Sequence, residues 1–161
     1  MNLNLTDIAK IVQGSPIIGA LATTNGDCDY VSMKNFDRCT IILTVDNAAT
    51  VTGAAITLKQ ATDVAGTGEK ALPFAAMLAN VDTGAGDALT ETAVTSDTFT
   101  TATTDNKNLM YVIEVKAEDL DVAGGFDCLR VDALLMANAV GSVLYIMHGA
   151  RNCPPGSAIV D

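Results

Sequence analysis

From Arg38 to Val45 the chain alternates: Cys39, Ile41, Leu43 and Val45 share one face, and Arg38, Thr40, Ile42 and Thr44 share the other. A two-residue period marks a half-buried strand, because successive side chains leave a pleated backbone on opposite sides. The period returns at 54–61, where Ala54, Ile56 and Leu58 oppose Thr57 and Lys59. It returns again where Leu109, Tyr111, Ile113 and Val115 alternate with Met110, Val112, Glu114 and Lys116. In 126–133, Leu129, Val131 and Ala133 oppose Asp127, Arg130 and Asp132. Segments of this kind must pair with one another and cover their apolar faces, so the chain is committed to sheets.

Turn residues punctuate these segments. Asn25-Gly26, Asp46 to Ala48, Asp63 to Gly68, Asp82 to Asp87, Asp105 to Asn108 and Gly124-Gly125 all carry turn chemistry. Tyr30 to Met33 is a short strand candidate before a corner at Asn35 to Asp37. Pro73 places the next strand at an edge or after itself. Phe74 to Val81 fits a strand or a helical turn, and the Thr-rich stretch 90–104 fits one or two exposed strands around Ser96-Asp97. Glu118 to Leu120 predicts a short helical turn. Turn signals at intervals of roughly 8–12 residues predict an all-β fold, an antiparallel sandwich or barrel; of these the fold expected is an antiparallel β-sandwich of jelly-roll type, with short helical turns and an extended N-terminal arm.

The domain division follows: residues 1–22 an arm, 23–150 the sandwich and 151–161 a C-terminal tail leaving at Pro154-Pro155. Within the arm, Ile8, Ile11 and Val12 have helical spacing, which Gly14 and Pro16 cut short, and Ile17, Ile18 and Leu21 form a second apolar patch. These six residues are candidate assembly contacts. The stretch AVGSVLYIMH at 139–148 is apolar on both faces, so either both faces are buried or one meets a partner. Tyr145 within it is the seventh candidate.

The chain has 161 residues, enough for one domain with a real core. Its 19 acidic and nine basic residues give a net charge of −10. That balance weighs against nucleic acid, whose phosphates need Lys and Arg, and against an anionic membrane surface. No segment has the roughly 18–20 apolar residues of a membrane span. The N-terminus lacks a basic stretch before its apolar residues, so a secretory signal is not expected and synthesis in a cytoplasm is.

Chemistry-bearing motifs are sparse. His148 is the only histidine, at the end of an apolar strand, where capping the strand or touching a neighbour suits it better than catalysis. Asp27, Asp29, Asp82 and Asp87 offer hard oxygens for calcium, but no stretch has the calcium-loop pattern, and Asp is also the ordinary turn residue. The glycine runs at 66–68, 84–86 and 124–125 lack phosphate-loop spacing. Among the four cysteines, Cys39 and Cys128 lie in apolar runs and are expected as buried small hydrophobes. A Cys28–Cys39 or Cys28–Cys153 disulfide stays open, conditional on geometry and an oxidising setting. Neither a metal nor another cofactor is expected, nor an enzymatic activity.

The segments YVSMKNFDRCTIILTV (30–45), AAITLKQATDVAGTGEKALPF (54–74) and MYVIEVKAEDLDVAGGFDCLRVDA (110–133) carry a resemblance. In this order they are similar to a group of tailed-phage and prophage structural proteins. The likeness covers most of residues 26–135, and its motifs are structural. It implies a virion component made in the host cytoplasm, a decoration or cementing protein on the capsid surface. Its implied partners are the major capsid protein and further copies of itself, as a homotrimer or other homo-oligomer. The alternative is a head-fibre or tail-associated module binding a receptor or carbohydrate, disfavoured by the absence of Trp and the presence of only three Tyr. The family supplies no catalytic residues to carry over.

Overall fold

A computed structural model of the chain describes residues 4–15, 26–133 and 138–151. Helix α1 (Leu5–Ile8) is followed by β1 (Ala9–Gln13), β2 (Gly26–Asp27), β3 (Val31–Ser32) and β4 (Phe36–Asn47). Then come β5 (Ala55–Ala61), β6 (Lys70–Ala71), β7 (Ala76–Asn80), β8 (Thr90–Ala93) and β9 (Thr98–Thr100). β10 (Asn108–Lys116), β11 (Cys128–Ala133) and β12 (Ala139–Ala150) complete the strands. Two 3-10 turns, Ala117–Asp119 and Val122–Gly124, sit between β10 and β11.

The strands form two antiparallel sheets. The first has the order β1-β12-β4-β10-β7-β8; the second has β2-β11-β5-β6, with β3 also on β11 and β9 also on β5. The all-β sandwich expected from the alternation is therefore the fold. Its longest ladders are β4 with β12, β4 with β10, and β5 with β11.

β4 is the axis of the first sheet, with β10 on one side and β12 on the other. Its register runs Arg38↔Lys116 to Asp46↔Asn108 against β10, and Arg38↔His148 to Asp46↔Val140 against β12. Cys39, Ile41, Leu43 and Val45 point inward and are essentially unexposed, as are Ile56 and Leu58 of β5, Tyr111 and Ile113 of β10 and Leu129 and Val131 of β11. Burying each such side chain favours the fold by about 1.5–3 kcal/mol. At one end of the sandwich Asn47 donates its two amide hydrogens to the carbonyls of Ala102 and Thr104, at 3.0 Å each, fixing the loop before β10.

Two readings of the sequence resolve or change. Phe74 to Val81, open between strand and helix, contains β7. The helical spacing at Ile8, Ile11 and Val12 does not give a helix: one turn ends at Ile8, and Ala9 to Gln13 is a strand antiparallel to β12. A single helical turn gains almost nothing after its nucleation cost. Pairing with the otherwise open edge of β12 satisfies a full ladder.

Candidate assembly surface

β1 is the edge strand of the first sheet, in register Ala9↔His148 through Gln13↔Leu144. Its side chains obey the strand period. Lys10 and Val12 lie on the inner face, and Val12 packs against the core. Ile11 lies on the outer face beside Ile146 and is 43% exposed. Leu5 and Ile8 on α1 are 51% and 47% exposed. Of the seven candidate contacts, Ile8 and Ile11 therefore present open apolar surface, and Val12 is half-buried. Ile17, Ile18 and Leu21 lie outside the described residues.

Tyr145 takes a different place from the one expected. It is fully buried within this one chain and has no surface to offer a neighbour. Strand parity puts it on the inner face with Val143 and Met147. Its hydroxyl accepts a 2.9 Å hydrogen bond from the Val131 amide on β11, tying one sheet to the other. Burial also holds its phenol well above the ordinary 10.

The residues between those inner positions build the surface that the sequence did not single out. Leu144, Ile42, Val112 and Leu78 stand side by side across β12, β4, β10 and β7, a continuous apolar row on the outer face. All four are only half-buried. On one side lies the row Ile11, Ile146, Thr40 and Glu114, and on the other Ser142, Thr44, Met110 and Asn80. Ile42 was legible as an outer residue, and so was Val112. What the sequence withheld was that the two are neighbours, which depends on register. Contiguous apolar patches on soluble monomers are usually small, and larger ones mark contact sites.

The two ends of β4 on this face carry opposite charges, Arg38 and Asp46. Arg38, Lys116 and His148 line one end, and Asp46 and Asn108 line the other beside Val140, which is 44% exposed. Near the Asp46 end, Thr44, Asp46, Met110, Val140 and Ser142 border a groove of about 400 Å³. At the Arg38 end Thr40 donates to Glu114 at 2.7 Å and lies 3.1 Å from His148 Nε2, so His148 joins a cross-strand polar cluster.

The outer face of the second sheet is built oppositely. Lys59 pairs with Glu69 at 2.7 Å and Asp132 at 2.6 Å, Arg130 pairs with Glu69 at 2.7 Å, and Tyr30 donates to Glu69 at 2.6 Å. The Arg130 guanidinium also lies 5.0 Å from the centre of the Tyr30 ring. Burial pushes the Glu69 carboxyl up, but the hydrogen bonds from Lys59 and Tyr30 and the Arg130 charge outweigh it and hold it below 4.5. Burial and the hydrogen bond to Glu69 push Tyr30 up from 10. Beneath this network Tyr30, Ala61 and Cys128 form a small apolar cluster with Val64. Lys59, Arg130, Glu69 and Asp132 thus engage one another across this face.

The thiols of the described cysteines are withdrawn from solvent. Cys28, Cys39 and Cys128 are buried thiols not joined to one another, so the Cys28–Cys39 alternative is not formed; Cys153 lies outside the described residues. Burial pushes the Cys28 and Cys128 thiols from 9.0 up to about 12, and Cys39 higher still. Among the described residues no three His, Cys, Asp or Glu side chains are grouped to hold a metal ion. Asp82 is engaged by Lys107 and by backbone amides of its own turn, and Asp63 accepts from the amides of Ala65 and Thr67, which is turn chemistry. No helix among the described residues is long and apolar enough to cross a membrane.

A scan against protein-family models and searches of curated proteins and of solved structures find no match.

Proposed function

We propose that this chain is a non-enzymatic structural protein of a tailed-phage virion that decorates and cements the outer shell of the head as a homo-oligomer. The observation that carries the reading is the edge strand β1 with its preceding turn. It presents Leu5, Ile8 and Ile11, each more than 40% exposed, together with a strand edge that no other described strand pairs. An unpaired edge with apolar side chains is a ready site for another chain, through main-chain hydrogen bonds and side-chain burial together. The resemblance of 30–74 and 110–133 to phage structural proteins supplies the biological setting. The closed charge network and the buried thiols fit a role in which surfaces, rather than reactive groups, do the work.

Many weak contacts suit a shell. Each copy needs modest affinity, because neighbouring sites on a symmetric particle raise the effective concentration.

The test is stoichiometry. Purified virions should contain this chain at a copy number matching the shell's symmetry, and a variant lacking residues 1–8 should fold yet show reduced occupancy on particles. A copy number in the range of a tail component would overturn the decoration role.

A further inference from the structure

We propose that the outer face of the first sheet is the contact surface of a two-fold homodimer, in which two copies stack this sheet face to face with their strands antiparallel. The proposal stands apart from the virion reading, since it concerns the isolated chain in solution.

The face has the make-up of a self-complementary surface. Its middle is the apolar row Leu144, Ile42, Val112 and Leu78, with Arg38 at one end of β4 and Asp46 at the other; Lys116 beside Arg38 is already paired with Glu118, and Glu114 lies one row in. Two-fold symmetry makes a patch meet itself, and two placements of the axis in the plane of the contact are available. An axis along the strands sets each end on its own kind, with Arg38 against Arg38. An axis across the strands, lying along the apolar row, sets each end on the opposite one. Arg38 of each copy then faces Asp46 of the other, and the apolar row lies on itself. Charge therefore selects the second arrangement, with β4 over β4 and antiparallel.

Two further features fit it. Among the described residues neither Arg38 nor Asp46 has an ion-pair partner within its own chain, so both are free to pair across the contact. The same rotation carries Ile146 over Ser142 of the second copy, beside the groove of about 400 Å³ that Thr44 and Met110 also line. A projecting side chain thus meets a depression rather than another projection.

Size is adequate. Side-chain rows two residues apart, on strands ~4.8 Å apart, give a footprint on the order of 500–800 Å² per copy. That is at or below the ordinary specific interface, in the range of weak and transient contacts. Stacked sheets pack with their strands within about 30° of alignment, which a twisted sheet of this width accommodates. The Arg38–Asp46 pairs lie towards the rim, where charge sets orientation more than affinity.

The experiment is sedimentation equilibrium of the full chain, with circular dichroism on every variant to establish folding. The wild type should show a monomer–dimer equilibrium. Leu144→Lys should raise the dissociation constant by about tenfold or more, since it buries an unpaired charge in the apolar row. Its aliphatic stem still covers the sheet in the monomer. Arg38→Asp and Asp46→Arg should each weaken the dimer several-fold, and the double variant should recover to within about twofold of wild type, because the exchanged charges again face each other. A chain that stays monomeric at ~500 µM overturns the proposal. So does a dimer indifferent to Leu144→Lys, a double variant no better than either single one, or a monomer that dimerises only once residues 152–161 are removed.

Discussion

Tyr145 belongs to the first sheet but completes the hydrogen bonding of the second. β11 is paired with β2 at Asp132 and Ala133 and with β3 at Cys128 and Leu129. The Val131 amide falls between these two short ladders and donates instead to the Tyr145 hydroxyl. Tyr145→Phe keeps the ring and removes that acceptor, leaving a buried N–H orphaned. The expected loss is about 1–3 kcal/mol, read as a lower urea midpoint with an unchanged slope. A loss below ~0.5 kcal/mol would show that the amide finds another partner on relaxation. The sequence exposed the apolar character of this residue but not its role. Alternation says which residues share a face, and only the opposing sheet says which face is inside.

β1 shows what an element owes to its neighbour. Gly14 follows it and passes so close to Tyr145 that a Cβ there would lie 2.3 Å from the ring. Ser15 is buried, and its hydroxyl accepts from the Val143 amide at 2.9 Å, while the Gly14 amide donates to the Val143 carbonyl at 2.8 Å. The segment Ala9 to Ser15 is thus part of the sandwich, whereas Leu5 to Ile8 lies on its surface. Removing residues 1–8 should shift the melting temperature by only a few degrees. Removing residues 1–15 should destabilise the fold by several kcal/mol, because it bares the β12 edge, uncovers Tyr145 and strips the partners of Val143. Thermal unfolding of the two truncations checks this; equal effects would refute the division at Ile8. The strong strands β4, β5, β10 and β11 were legible because each buries one face and so carries the two-residue period. β1 was not, since Ile8, Ile11 and Val12 fit a helix equally well, and only the unpaired edge of β12 decides. β8 was faint for the opposite reason: all four of its residues are exposed, so no inward side chain marks its period.

At the scale of the molecule, the two outer faces divide the labour, one apolar and one closed by charge, and pH addresses them separately. Glu69 is the centre of the charged face, held below its ordinary 4.5 by Lys59, Tyr30 and Arg130 in spite of its burial. A carboxyl with a folded value below its unfolded one binds fewer protons in the native state. Its stabilisation is present above pH ~4.5 and is lost as pH falls through the folded value. Asp121, held down by Lys70, and Asp82, held down by Lys107, follow at lower pH from an ordinary 3.8. A second effect runs the other way: the net charge of −10 shrinks towards the isoelectric point of about 4.2, relieving self-repulsion. The wild-type curve alone therefore mixes the two, and the difference between variants separates them. Glu69→Gln removes the acidic partner of Lys59 and Arg130 and should be clearly less stable than wild type at pH 6. The gap should narrow steadily as pH falls towards 3, because protonation does to wild-type Glu69 what the substitution has already done. Urea unfolding of both chains at pH 6, 4.5 and 3 reads this directly. A gap that stays constant across that range would mean the network does not hold the carboxylate, and that the sealing of this face comes from the Tyr30–Cys128 apolar cluster instead.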